Sequence, residues 1–208
     1  KRVAGTSGKF ADVLNPSTGE VEKQVPLAST EELNAAVTNA KEAQVGWAAQ
    51  NPQKRARVMF RFLELLAQEN DSLAEMLSRE HGKTIPDSKG DIQRGFETVE
   101  FACGIPHLLK GEYTEGAGPG IDMYSLRQPL GVVAGITPFN FPAMIPMWMF
   151  APAIACGNAF ILKPSERDPS LPLRVGELLL EAGLPAGVFN VVNGDKAAVD
   201  ALLEDARV

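Results

Sequence analysis

The chain has 208 residues, of which 45% are apolar, 20 are Lys or Arg and 26 are Asp or Glu, so its formal net charge is −6. This length and apolar content fit one large globular domain, and the charges form no long single-sign block, which argues against nucleic acid or an anionic membrane as a partner. The 19 Gly and 15 Pro are dispersed along the chain rather than gathered in tracts, which argues against a disordered or a fibrous protein.

The two cysteines, Cys103 and Cys156, are far apart, with neither a CxxC pair nor a His at metal-ligand spacing. We therefore expect no metal site and no disulfide framework, and the usage favours a reducing compartment. Each thiol lies in an apolar stretch, which favours packing in the core over nucleophilic reactivity. The first residues show no targeting pattern, although a processed leader would leave no trace.

Residues 1–110 are predicted to be mostly helical after two short strands, at residues 11–14 and 21–25, which flank a tight turn. Capping and turn residues mark the helix ends, and the longest helix has a buried stripe at helical spacing. The predicted helices begin at Ser29-Thr30, Asn51-Pro52, Asp71 and Asp87, and the last two end at Gly82 and Leu109. The buried stripe comprises Ile92, Phe96, Val99 and Cys103.

Residues 111–128 predict a hairpin around a Gly-rich centre. Beyond it, three apolar runs at 131–136, 159–162 and 188–192 are separated by helix-length segments, a pattern typical of a parallel sheet buried on both faces. Helices are predicted at 169–182 and 196–204, and Val208 is expected to begin a fourth strand. The uncharged run 128–162 is interrupted at Pro138, Pro142, Pro146 and Pro152, so it is predicted to form a strand, a turn and a buried helix rather than a membrane span.

Ligands of an open parallel sheet bind beyond the carboxyl ends of its strands, here residues 137–142, 163–167 and 193–195. Lys163 and Glu166 stand where polar groups bond the ribose of a dinucleotide, and a carboxylate there favours NAD over NADP. No GxGxxG follows the first strand, so a solvated pair at a helix start remains an alternative. Asn140 is either an oxyanion donor or a turn-capping residue.

Six motifs together resemble the aldehyde dehydrogenase superfamily in order and spacing, over the whole chain. They are Asn15-Pro16-Ser17-Thr18-Gly19-Glu20, Glu80-His81-Gly82-Lys83, Thr137-Pro138-Phe139-Asn140-Phe141-Pro142, Gly157-Asn158, Lys163-Pro164-Ser165-Glu166 and Gly183-Leu184-Pro185-Ala186-Gly187-Val188. Within the superfamily the chain looks like the CoA-acylating methylmalonate-semialdehyde dehydrogenases. That likeness rests on Phe139, Pro146-Met147-Trp148-Met149-Phe150 and Lys163-Pro164-Ser165-Glu166-Arg167.

The resemblance implies an α/β fold with N-terminal helices, an oligomerisation hairpin and part of a parallel Rossmann-type sheet. Residues 1–110 would be the helical part of the NAD-binding domain, 111–128 part of the hairpin and 129–208 the first half of the sheet. The family's thiol nucleophile, general-base Glu and glycine segment are expected beyond Val208. A homo-oligomer, a dimer of dimers, is implied, in the cytoplasm of a bacterium or the mitochondrial matrix of a eukaryote.

The reaction implied is NAD-dependent oxidation of malonate or methylmalonate semialdehyde to acetyl-CoA or propionyl-CoA, with coenzyme A as co-substrate. Asn140 would then bond the oxyanion of the thiohemiacetal. A family member that hydrolyses its acyl-enzyme, and a non-catalytic NAD-binding or assembly module, are the alternatives.

The resemblance also assigns binding residues. Lys163 and Glu166 would hold the adenosine ribose, and the NAD site would further be lined by Thr137, Phe139 and Arg167. Arg94 would bind the substrate carboxylate, although two positions from Ile92 is about 200° around a helix, which by periodicity alone puts Arg94 on a solvated face.

Overall fold

The computed structural model describes residues 2–208 and consists of eight helices and seven strands in that range. In chain order they are β1 Phe10–Leu14, β2 Val21–Pro26, α1 Thr30–Ala48, α2 Pro52–Gln68, α3 Asn70–His81, α4 Ile85–Cys103, α5 Ile105–Leu108, β3 Tyr113–Gly118, β4 Ile121–Tyr124, β5 Val132–Ile136, α6 Met144–Ala155, β6 Ala159–Lys163, α7 Ser170–Glu181, β7 Phe189–Val191 and α8 Lys196–Glu204.

The central sheet is parallel, with the strand order β5-β6-β7. Alternate residues of β6 belong to two separate cores. Phe160 and Leu162 pack with residues of α2, α4, α6 and α7, whereas Ala159 and Ile161 pack with residues of α1 and α8. Helices therefore cover both faces, which explains why the strands are almost continuously apolar and confirms the predicted α/β architecture.

Several helix ends follow the predicted capping chemistry. The Ser29 N–H donates to the Glu32 carboxylate at 2.8 Å and the Glu32 N–H donates back to the Ser29 hydroxyl at 3.3 Å, which closes a capping box before α1. The Asn51 side chain caps α2 by accepting from the backbone N–H groups of Gln53 and Lys54. Gly82 ends α3 at a φ of 81°, and a Cβ there would lie 2.8 Å from Pro16, so only glycine fits this close approach to the turn between β1 and β2.

The single helix predicted for residues 87–109 is wrong: the structure breaks it at Gly104 into α4 and the short α5. The cause is Pro106, which has no N–H to donate to the Ala102 carbonyl and whose ring clashes with a continuing helix. The Val208 N–H closes the turn after α8 by donating to the Asp205 carbonyl at 3.0 Å, and the strand expected to begin at Val208 stays a prediction.

The uncharged run 128–162 folds as β5, a turn, α6 and most of β6, as predicted. None of the helices in residues 2–208 is long and apolar enough to cross a membrane. Helix α6 packs against α4, where a Cβ on Gly95 would lie 2.8 Å from the Sδ atom of the buried Met147. Helices α1, α2 and α4 all cover the sheet, so residues before and after 110 pack together. The predicted domain boundaries at residues 110 and 128 therefore stay a prediction.

Candidate cofactor and substrate site

The loops that follow β5 and β6 are adjacent, because the Thr137 N–H donates to the Lys163 carbonyl at 3.1 Å. The third predicted strand end is used differently. The Asn193 carbonyl accepts from the Ala28 N–H at 2.8 Å, and Asp195 caps α8 through the Ala197 N–H at 3.0 Å. Two of the three predicted loops therefore form one candidate site, and the third serves the structure of α8.

Lys163 and Glu166 form an ion pair at the carboxyl end of β6. The Lys163 Nζ atom lies 3.2 Å from Glu166 Oε2, and the lysine side chain is 8% exposed whereas that of Glu166 is 39% exposed. The turn that follows is closed by the Arg167 N–H, which donates to the Ser165 hydroxyl at 3.1 Å. The lysine is thus held in place by a carboxylate that remains open to solvent and to a ligand.

Phe139 and Arg167 extend this surface across both loops. The Arg167 guanidinium carbon lies 4.7 Å from the centroid of the Phe139 ring, and that ring is 45% exposed. Beneath them the Thr137 Oγ1 atom is buried and has no hydrogen-bond partner. An aromatic face and an open carboxylate at neighbouring strand ends fit a nucleotide, whose ring and hydroxyls need those partners.

Asn140 lies in the turn between β5 and α6 and is exposed. Its side-chain amide makes no hydrogen bond within residues 2–208, although neighbouring turn residues offer backbone partners. A turn-capping Asn would be expected to bond that backbone. The free amide is therefore available to a ligand.

The turn formed by Glu80-His81-Gly82-Lys83 (the EHGK turn) contacts both loops of the candidate site. The sequence analysis did not predict these contacts, which are made by Glu80 and Lys83. Glu80, in α3, accepts from the Ser170 N–H at 3.0 Å and from the Ser170 hydroxyl, and so caps α7, which has no cap of its own. Lys23 pairs with the same carboxylate at 2.8 Å. Lys83 lies 4.2 Å from the centroid of the Phe141 ring and 3.0 Å from the Asp91 carboxylate.

Asp91 was missed as well. It lies on α4, and its side chain is fully buried. The burial of Asp91 could have been predicted from the sequence. Asp91 precedes Gly95 by four positions, so both lie on one face of α4, and a small residue such as Gly marks a face where helices pack closely. A charged residue on such a face is buried and needs partners.

Asp168 lies behind the second loop, 3% exposed, and neither of its carboxylate oxygens has a hydrogen-bond partner. Burial, and then the negative charges of Glu80 and Asp91, raise its pKa to about 7, against the opposing charge of Lys83. Burial and the Lys83 charge lower the pKa of His81. Within the described residues 2–208 no group of three His, Cys, Asp or Glu side chains is placed to hold a metal.

Arg94 is exposed on α4, as its periodicity predicts. It borders an open depression of about 340 Å³ with Glu97, Thr98, Phe101 and Trp148. The Trp148 indole N–H points at the Arg94 carbonyl at 3.4 Å, so α6, which begins four residues after Asn140, forms one wall of the depression. A guanidinium beside aromatic side chains suits a small carboxylate with an apolar body.

Neither thiol is set up as a nucleophile. Cys103 is 7% exposed, and burial and the charge of Glu100 raise its pKa to about 11. Burial also raises the pKa of Cys156, with Arg55 acting against it. The Arg55 guanidinium is committed to the Ala155 carbonyl at 3.0 Å. Both thiols are protonated at neutral pH.

The sequence profile of the aldehyde dehydrogenase family matches residues 3–208. The chain belongs to the aldehyde dehydrogenase family. It is 56% identical over 202 residues to a malonate-semialdehyde dehydrogenase of Pseudomonas aeruginosa, covering 97% of this chain and 41% of that protein. It is 52% identical over 206 residues to the mitochondrial methylmalonate-semialdehyde dehydrogenase [acylating] of Arabidopsis thaliana, covering 99% of this chain and 34% of that protein.

Solved aldehyde dehydrogenases share the fold closely. A Sinorhizobium meliloti protein crystallised with NAD is 69% identical with a TM-score of 0.99, over all of this chain and 42% of that one. The methylmalonate-semialdehyde dehydrogenase of Oceanimonas doudoroffii is 57% identical with a TM-score of 0.97, again over all of this chain and 42% of that one. This aldehyde dehydrogenase chain therefore spans well under half the length of these relatives.

Proposed function

We propose that the protein carrying this chain is an NAD-dependent, CoA-acylating dehydrogenase of malonate or methylmalonate semialdehyde. The observation that carries the proposal is the Lys163–Glu166 pair at the end of β6, beside the loop that holds the free amide of Asn140. The relatives named malonate-semialdehyde and methylmalonate-semialdehyde dehydrogenase support the substrate class. The word acylating in the name of the Arabidopsis relative supports the transfer to coenzyme A.

The residues at the two strand ends would bind NAD, which accepts hydride when bound. Lys163 and Glu166 would hold the ribose hydroxyls, because one ammonium and one carboxylate supply a donor and an acceptor. Phe139 and Arg167 would present a flat face to the nucleotide, and Thr137 would line the same site. The S. meliloti relative, solved with NAD, supports this cofactor.

Asn140 would donate its amide N–H to the oxygen of the aldehyde as negative charge develops there. Arg94 would bind the substrate carboxylate in the depression beside Trp148. A charged carboxylate held there distinguishes a semialdehyde from a simple aldehyde, since only the semialdehyde has the second group to bind.

The exposed β3–β4 hairpin would contribute to a homo-oligomer. Its strands pair Tyr113 with Tyr124 in antiparallel register, and the side chains of Ile121 and Met123 are more than half exposed. An apolar hairpin left in water favours association with a second copy. The bacterial and mitochondrial relatives support a compartment of the same kind, the bacterial cytoplasm or the mitochondrial matrix.

The proposed activity is tested by following NADH formation from malonate semialdehyde with and without coenzyme A, using protein expressed from the complete coding sequence. We expect multiple turnovers only with coenzyme A, together with acetyl-CoA in stoichiometric amount. Equal turnover without coenzyme A would indicate a hydrolytic aldehyde dehydrogenase instead. The absence of NADH under both conditions would favour a non-catalytic NAD-binding module.

A further inference from the structure

We infer that Asp91 is the positioning residue for Asn140: its buried carboxylate fixes the segment from Phe141 to Met144 at both ends. The inference rests on the proposed role of Asn140. Asp91 belongs to α4, whereas the segment that it holds belongs to the turn and first residue of α6. The Asp91 side chain is fully buried, so its polar atoms need the partners described next.

The first partner is the N-terminus of α6. Asp91 Oδ1 accepts from the Met144 N–H at 2.8 Å, and Met144 is the first residue of that helix. Ala143, at the capping position, has no side chain able to cap it. A carboxylate supplied by another helix therefore satisfies an otherwise orphaned donor and interacts favourably with the helix dipole.

The second partner is Lys83. Its Nζ atom lies 3.0 Å from Asp91 Oδ2 and 4.2 Å from the centroid of the Phe141 ring. The ammonium thus links the carboxylate to the aromatic side chain that immediately follows Asn140. One carboxylate holds the residue after Asn140 through Lys83 and the first residue of α6 directly.

The backbone beneath this arrangement is also fixed. A Cβ on Gly95 would lie 2.8 Å from the Sδ atom of Met147, so α4 and α6 approach closely one helical turn beyond Asp91 and Met144. Asn140 itself makes no side-chain bond within residues 2–208, so its position depends on the segments on either side of it, and Asp91 holds the one that follows. A shift of about 1 Å in a catalytic group can cost on the order of 10²-fold in rate.

The decisive variant is Asp91→Asn, made in the complete protein. Its amide oxygen can still accept from Met144, but its NH₂ group would face the Lys83 ammonium, donor against donor. We expect kcat for the semialdehyde to fall by about 10-fold or more, with the KM for NAD nearly unchanged. Glu100→Gln, an exposed charge removal on the same helix, is the matched control and should leave kcat unchanged.

A double-mutant cycle separates positioning from mere stability. In the Asn140→Ala background, where kcat is already lower by about 10²-fold, Asp91→Asn should cost less than about 2-fold, because the group that it positions is gone. An equal loss in both backgrounds, or no loss of kcat in Asp91→Asn, would overturn the inference. Lys83→Met, which also releases Phe141, provides a second variant if Asp91→Asn folds poorly.

Amide hydrogen exchange gives a readout that does not depend on activity. Asp91→Asn should speed exchange in residues 141–147 and leave the segment 163–167 unchanged, whereas a general loss of stability would speed both. If Asn140→Ala retains full kcat while residues 141–147 are still loosened, the proposed oxyanion role is wrong and the placement of the segment by Asp91 stands. Unchanged exchange in residues 141–147 would refute that placement.

Discussion

Arg94 is exposed on α4, yet it borders a depression that contains Trp148. If it binds the substrate carboxylate, Arg94→Leu should raise the KM for malonate semialdehyde by at least about 10-fold and leave the KM for propanal unchanged, since only the semialdehyde loses a charge-assisted contact. Arg94→Lys should give an intermediate value, because an ammonium keeps the charge without the bidentate geometry. Steady-state kinetics on both aldehydes measure this, and parallel losses would return Arg94 to a purely solvated role.

Glu166 bears on the choice between the two nicotinamide cofactors. Its partly exposed carboxylate would repel the 2′-phosphate of NADP, so Glu166→Gln should narrow the ratio of kcat/KM for NAD over NADP by about 10-fold. Glu42→Gln removes an exposed charge on α1 and should leave the ratio unchanged. An unmutated enzyme that uses both cofactors equally well would contradict the assignment.

Asp168 should make the stability of the protein depend on pH. Its folded pKa of about 7 lies above its ordinary value of 3.8, so the folded state holds a proton that the unfolded state has released. The stability that Asp168 contributes is therefore full below about pH 4 and falls as the pH rises towards 7, by at most about 1.4 kcal/mol per pH unit.

The Asp168→Asn variant removes this dependence. Its thermal midpoint, followed from pH 5 to pH 8, should fall less than that of the unmutated protein. Asp200→Asn, in which the charge removed is on the surface of α8, serves as the control. A fall of the same size in Asp168→Asn and the unmutated protein would show that Asp168 titrates normally.

At the level of elements, the contact between α4 and α6 can be tested with two glycines of one helix. Gly95→Ala would bring a Cβ within 2.8 Å of Met147, and crowding there should lower the free energy of unfolding by about 1–3 kcal/mol. A Cβ on Gly90 meets nothing within 4 Å, so Gly90→Ala should raise the free energy of unfolding by about 0.5–1 kcal/mol through helix propensity. Urea unfolding measures both changes, and a stabilising Gly95→Ala would show that the two helices separate easily.

Local chemistry in the sequence predicts most element types and many ends, because caps and turns are short-range. The box at Ser29 and the left-handed Gly82 needed no tertiary information, whereas the break at Gly104 was missed although Pro106 marks it. The sheet and its two cores followed from the apolar runs. The links made by Glu80, Lys83 and Asp91 were not predicted, since their partners lie between 8 and 90 positions away in the chain.

For the molecule as a whole, the contrast between short-range and long-range features bears on which part of the reaction these 208 residues serve. Strand ends and their loops can be recognised in the sequence, so the candidate NAD contacts could be predicted from it. The atoms that hold those loops come from helices earlier in the chain, and only the folded structure brings them together. We therefore expect the chain to contribute cofactor binding, through Lys163 and Glu166, and orientation, through Asn140, rather than the covalent step.

The two thiols provide the test of that expectation. With its pKa raised to about 11, roughly one Cys103 side chain in a thousand is ionised at pH 8, and burial also disfavours the Cys156 thiolate. A protein of these 208 residues alone should therefore form no NADH from malonate semialdehyde. In protein made from the complete coding sequence, Cys103→Ser and Cys156→Ser should each keep more than about half of the original kcat, because a small polar group replaces a packed thiol without touching the chemistry. NADH formation by the 208-residue protein that disappears in Cys156→Ser would make that thiol the nucleophile and reverse the division between binding and covalent chemistry.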